Sequence, residues 1–171
     1  MSRAVLSIGS NLGDRLAHLA GVITALRGAG PVRVSPVYET DPWGPVAQDN
    51  YLNAIVIADD PGRDAAGWLS FVRACEQAAG RVRDVRWGPR TLDVDVVQVH
   101  NARGEPVISD DPELTLPHPR THERAFVLVP WFAVDPDATL AGRGSVRELI
   151  EALPDDEQAS VRRRDDLSLE R

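Results

Sequence analysis

Residues 3–8, RAVLSI, make a short apolar-rich run, and the turn-forming stretch SNLG at 10–13 separates it from Leu16, Leu19, Ala20, Ile23 and Leu26, which recur at helical spacing. The first segment reads as a buried strand and the second as a helix from about Asp14, stopped by Gly28 and Gly30. Val32 and Val34 alternate with polar residues up to Tyr38. After a Pro/Gly-rich loop, DPWGPVAQD, the run YLNAIVIA at 51–58 gives another strand, expected to pair with the one before it. A second amphipathic helix follows Pro61, with Ala65, Trp68, Leu69, Val72, Cys75 and Ala79 on one stripe. On that stripe Cys75 reads as a core residue and not as a nucleophile. An arginine-rich segment then leads into alternation over 93–99.

The order β-α-β-β-α-β predicts an α+β fold of the ferredoxin-like kind, an antiparallel sheet with two helices on one face. Beyond residue 100, NARG reads as a hairpin turn and LPHP at 116–119 as a rigid bend. A helix is expected near 120–133, interrupted by Pro130, and another near 145–153. The last residues lack apolar periodicity, so 154–171 is expected to be a solvated tail behind a core at about 3–153. A length of 171 residues suits one domain over the whole chain.

Charge narrows the function. Asp plus Glu number 26 against 19 for Lys plus Arg, and a net charge of -7 argues against a general nucleic-acid or membrane binder. All the basic residues are arginine, which removes the Walker A loop, the Schiff-base lysine and pyridoxal-phosphate chemistry, each of which needs a side-chain amine. Arginine is suited instead to planar, bidentate recognition of phosphate oxygens. A bias of genome composition accounts for the choice of arginine over lysine, but not for its clustering. The single Cys75 fits a reducing compartment, MSRAVLSIGS is too short in apolar residues for a signal peptide, and no run approaches the ~20 apolar residues of a membrane span. A cytoplasmic protein is expected.

The cluster lies in RVRDVRWGPRTLDVDVV at 81–97. In a strand, Asp93 and Asp95 share a face with Cα atoms about 7 Å apart, while Val94, Val96 and Val99 supply the apolar opposite. Two such carboxylates without histidine or thiol suit magnesium, which keeps waters and takes phosphate oxygens as further ligands, and a two-metal site bridges them. Alone, so short a motif as D-x-D reads more readily as a cap or turn residue and a solvated edge position. Arg81, Arg83, Arg86 and Arg90 outnumber those two anions, and the surplus positive charge calls for an anionic ligand. Trp87 serves either to anchor this loop or as a surface over a ligand. His118 and His122 lie four apart, but Pro119 between them and the absence of an evident third ligand argue against zinc.

GSNLGDR at 9–15, YETDPWG at 38–44, DNYLNA at 49–54, GRVRDVRWGPRTLDVDV at 80–96 and LTLPHPRTHERAFVLVP at 114–130 together resemble the 6-hydroxymethyl-7,8-dihydropterin pyrophosphokinase family of folate biosynthesis. The resemblance runs from about residue 4 to 135, and R-W-G-P-R-T-x-D-x-D is its most specific element. It implies the ferredoxin-like fold and transfer of diphosphate from ATP to the pterin hydroxymethyl group, leaving AMP. By position, Asp93 and Asp95 resemble the ligands of two magnesium ions, Arg81 and Arg90 the arginines that hold triphosphate and stabilise the reaction, and Arg83 a further nucleotide contact. Glu76, Val96, Thr115, His118 and Arg124 match positions around ATP. Thr40, Pro42, Trp43, Tyr51, Asn53, Trp87 and Phe126 match a pterin pocket whose flat ring lies between Tyr51 and Phe126. A flat amide-bearing heterocycle needs such stacking surfaces and a donor and acceptor pair of the kind the Asn53 amide offers.

Glu113 stands where some relatives carry an arginine, so a triphosphate contact is missing or comes from another arginine; Pro119 stands where some have tyrosine. The resemblance implies a monomer acting on small molecules, with Asp95 a candidate acceptor for the hydroxyl proton. The loops at 40–49 and 81–90 are expected to close over both substrates. Two rivals are a non-catalytic nucleotide-sensing module on the same scaffold, and a metal-dependent nuclease, which the acidic net charge disfavours.

Overall fold

Strand β1 (Ser2–Ser10) is buried along nearly its whole length because both faces of its sheet are covered, which is why it reads as a run and not as an alternation. In the computed structural model, which describes residues 1–42, 44–80 and 90–170, β1 is an inner strand of a six-stranded sheet. Two short strands, β2 (Val32–Val34) and β3 (Tyr38–Thr40), flank β4 (Tyr51–Asp60), which pairs antiparallel with β1; on the other side of β1 runs β5 (Asp93–Asn101), also antiparallel. The single strand expected over 32–38 is split. Pro36 has no N–H for a ladder, and Ser35 closes the break by accepting from the Ile55 N–H through its hydroxyl, 2.8 Å.

Helices α1 (Arg15–Leu26) and α2 (Ala65–Ala78) begin where carboxylates cap them: Asp14 accepts from the Ala17 N–H at 3.1 Å and Asp64 from the Gly67 N–H at 2.8 Å. Both pack on one face of the sheet, where Leu19, Val22, Trp68 and Val72 meet Leu6, Ile8, Val94 and Val96. Cys75 is half-buried at the margin of this core, and burial pushes its thiol up from its ordinary pKa.

The opposite face is covered too. After the hairpin of β6 (Ser109–Asp111) and β7 (Leu114–Leu116) and a single 3-10 turn at Thr121–Glu123, α3 (Ala125–Val134) lays Leu128 and Trp131 on Val5, Ile55, Ile57 and Val97. Pro130 lies inside α3 and does not interrupt it. This helix is apolar nearly all round and buried, so packing outweighs the lost backbone hydrogen bond.

The β1–β5 register slips between Val5, opposite Gln98, and Leu6, opposite Val96, leaving Val97 as an extra residue. That bulge sends Val94, Val96 and Val99 to the α1/α2 core and Val97 to the α3 side, a grouping strict alternation does not give.

A pair of two-residue strands, β8 (Thr139–Leu140) and β9 (Gly144–Ser145), precedes α4 (Val146–Glu151). The expected solvated tail is instead structured. It forms α5 (Asp155–Ala159) and then β10 (Val161–Arg163), which pairs with β3 to become the sheet edge, and Leu169 reaches the core at 6 % exposure. Arg164 pairs with Glu39 and Asp166. Three-residue strands and isolated leucines leave no periodicity to read, and a neighbouring edge supplies the order.

Candidate active site

The sheet presents small side chains where a cavity needs a floor. On the α3 side of β1, Ser7 stands opposite Asp95 and Gly9 opposite both Asp93 and Asn53. A β-carbon at Gly9 would come 2.8 Å from Asn53 Oδ1 and 3.4 Å from Tyr51 Cδ1, so only glycine leaves the Asn53 amide where it lies. Asn53, 3 % exposed, donates from Nδ2 to Thr40 Oγ1 at 2.6 Å across the β3–β4 ladder.

Two cavities meet over this floor. The smaller, ≈ 180 Å³, is lined by Ser7, Gly9, Thr40, Asp41, Tyr51, Asn53 and Phe126, and also by Arg124. It is smaller than the roughly 300–1,000 Å³ of drug-sized pockets and suits a compact molecule, with Tyr51 and Phe126 as aromatic lining. The second is a groove of ≈ 490 Å³ between α2 (Leu69, Arg73, Glu76) and the β6–β7 hairpin (Glu113, Thr115). Arg90, Asp93, Asp95 and His118 line both.

At that junction Arg90 lies 3.2 Å from Asp93 and Arg124 lies 3.6 Å from Asp95. Burial pushes the Arg124 guanidinium down from its ordinary pKa, with Asp95 opposing, and its charge sits over the Phe126 ring, 5.5 Å from the centroid. Glu76, 6 % exposed, accepts from the Val94 N–H at 3.2 Å, tying α2 to the strand that carries both aspartates. Among the described residues no group of three or more His, Cys, Asp or Glu is placed to hold a metal. Asp93 and Asp95 would offer an ion two carboxylates and leave its other positions to water or ligand oxygens, a donor set that fits magnesium.

His118 is fixed by its backbone N–H, which donates to Val97 O at 2.8 Å, and its Nδ1 accepts from the Arg120 N–H at 3.3 Å. The proton is accordingly assigned to Nε2. Burial, then the charge of Arg124, pushes its pKa down to about 4 despite Asp93, so at neutral pH the ring is an uncharged donor. The unfolded ring titrates near pH 6.5, so between about 6.5 and 4 the unfolded chain binds a proton that the folded chain does not, and stability falls as pH falls through that window. In metal-free buffer, the His118→Gln variant is expected to lose about 1 kcal/mol of that acid destabilisation, allowing for solvent screening, in urea melts at pH 7 and pH 4.5. Equal pH dependence in both proteins would show that His118 titrates normally.

Of the residues singled out in the sequence, Thr40, Tyr51, Asn53, Arg90, Asp93, Asp95, His118 and Phe126 line the smaller cavity, and Glu76, Val96 and Thr115 line the groove. Arg124, expected around the nucleotide, lines the smaller cavity instead. Pro42 lines neither. Arg81, Arg83, Arg86, Trp87 and Trp43 lie outside the described residues. Ser7, Gly9 and Asp41 were missed, as were Leu69, Val72 and Arg73 in the groove. Ser7 and Gly9 carry a signal, small residues two apart in an otherwise apolar central strand.

An antiparallel sheet layered with helices holds an aromatic-lined cavity that opens onto paired acids and arginines, an arrangement suited to a phosphoryl-type transferase. The sequence model of 7,8-dihydro-6-hydroxymethylpterin-pyrophosphokinase (HPPK) matches residues 5–136, and the chain belongs to that family. A 2-amino-4-hydroxy-6-hydroxymethyldihydropteridine pyrophosphokinase of Mycobacterium leprae is 52 % identical over 170 residues, 95 % of this chain and 88 % of the relative. Proteins of the same name from Mycobacterium tuberculosis, 48 % identical over 163 residues (93 % of this chain, 86 % of the relative), and Methylorubrum extorquens, 44 % over 156 residues (90 % and 94 %), are also similar. Among solved structures, an HPPK-DHPS in complex with substrates aligns with TM-score 0.61 at 11 % identity, and a wild-type Plasmodium falciparum HPPK-DHPS with SDX-DHP with TM-score 0.61 at 15 %. Each covers 86 % of this chain, while this chain spans 42 % and 43 % of theirs, so these likenesses concern the fold.

Proposed function

We propose that the chain, acting as one ferredoxin-like domain and as a monomer, transfers diphosphate from ATP to 6-hydroxymethyl-7,8-dihydropterin. The supporting observation is the shared junction: one set of side chains, Arg90, Asp93, Asp95 and His118, lines both a flat aromatic cavity and a longer groove. The pterin lies between Tyr51 and Phe126, with its amide edge toward Asn53 and Thr40. ATP occupies the groove against Glu76, Val96 and Thr115. Arg73, 3.4 Å from Glu113 within the groove wall, is the arginine that replaces the contact Glu113 forgoes.

The hydroxymethyl oxygen bonds to the β-phosphorus as the bond to the α,β-bridging oxygen breaks, and AMP leaves. The hydroxyl proton passes to Asp95. Arg81, Arg83 and Arg90 hold the triphosphate, and Arg124 places positive charge beside the transferring group. His118 offers Nε2–H to a phosphate oxygen without adding charge. Asp93 and Asp95 would hold two magnesium ions, which supply charge neutralisation on the polyphosphate when bound.

Purified protein incubated with ATP, magnesium and the reduced hydroxymethylpterin is expected to release AMP and pterin diphosphate in equal amounts. Release of ADP would indicate transfer of a single phosphoryl group. Nucleotide binding without turnover would indicate a sensor.

A further inference from the structure

Asn11 follows β1 and is 1 % exposed, yet lines neither cavity. Its side chain is fully engaged in two directions. Nδ2 donates to Gln48 Oε1 at 2.8 Å and to Asp49 O at 2.9 Å, while Oδ1 accepts from the Arg90 N–H at 2.8 Å. The Asn11 backbone N–H also donates to Arg90 O at 3.1 Å. Nearby, Arg15 Nη1 donates to Asn50 O at 2.9 Å.

These contacts join segments that serve different halves of the site. Residues 48–50 lead directly into Tyr51, a wall of the flat cavity, and Arg90 carries the guanidinium that meets Asp93 at the junction. Asparagine suits this position because it alone among side chains of its size offers two donors and one acceptor. Aspartate would set an anion against the Asp49 carbonyl oxygen, and alanine would leave a buried backbone N–H without its acceptor.

We propose that Asn11 is a positioning residue that couples the two half-sites, so that fixing Arg90 around a nucleotide also fixes the entrance to Tyr51, and the reverse. This rests on the pyrophosphokinase reading above. A shift of Arg90 toward triphosphate is passed through one buried amide to the 48–50 segment, and neither partner moves without straining bonds to the other. By linkage, the factor by which nucleotide tightens pterin binding equals the factor by which pterin tightens nucleotide binding.

Calorimetry of the hydroxymethylpterin, with and without magnesium and a non-hydrolysable ATP analogue, reads that factor. It is expected to be at least about fivefold in the wild type and within about twofold of unity in Asn11→Asp and Asn11→Ala. Gln48→Ala, a half-buried loop change that leaves the core intact, is expected to lose part of the factor at an unchanged melting temperature. A residue that only stabilised the fold would lower the melting temperature and weaken both ligands without changing the ratio. A ratio unchanged in Asn11→Asp and Gln48→Ala, or a wild-type ratio of one, overturns the proposal while leaving the pyrophosphokinase reading in place. A wild type that binds neither ligand overturns that reading and this inference with it.

Discussion

Replacing Asp95 with asparagine is expected to abolish AMP release, with kcat falling by at least about 10³-fold, while the thermal midpoint moves by only a few degrees. The Asp95 side chain is 32 % exposed, faces Ser7 across the ladder, and lies 3.6 Å from Arg124. Asparagine keeps the shape and removes the charge, so on the proposed mechanism a hard cation would lose an anionic ligand and the attacking hydroxyl its acceptor. Affinity for metal-free ATP is not expected to weaken, because deleting an anion leaves Arg124 less compensated beside the triphosphate. The loss therefore falls on kcat. AMP quantified after single-turnover mixing, with a melt of the same sample, checks both halves; turnover within tenfold of wild type would remove Asp95 from the chemistry.

Asp93 and Asp95 were legible because a strand has period two and charge stands out against valine. The bulge at Val97 was not, since it arises from pairing with β1 and not from β5 itself. Asn53 was legible as an amide in a strand and Thr40 as its neighbour in the pocket by resemblance, but Gly9 was not, because it comes from β1 and only the register brings it against Asn53. Arg124 was legible as a charge beside the site, but the cavity it reaches was not, because a turn and the start of α3 decide it. The C-terminal strand was hidden by composition: arginines and aspartates that read as solvated are paired along an edge that β3 provides.

Asn53→Ala is expected to lower kcat/KM for the pterin by about 10²–10³-fold and leave ATP affinity within twofold, because a site built to hydrogen-bond a ligand loses most when its polar partner goes. Asn53 is buried at the floor of the flat cavity, does not line the groove, and is held by Thr40 at 2.6 Å, so its amide is set in place before any ligand arrives. Gly9→Ala tests the same geometry without touching an amide. The added methyl would come 2.8 Å from Asn53 Oδ1, so that amide must leave the position in which Thr40 holds it. Both variants should show the same signature in initial rates measured against each substrate: a raised KM for the pterin and an unchanged KM for ATP. If Asn53→Ala weakened ATP as much as pterin, the division of the site into two half-sites would be wrong, and if Gly9→Ala were neutral, the Asn53 amide would not be held in the orientation that the pterin reads.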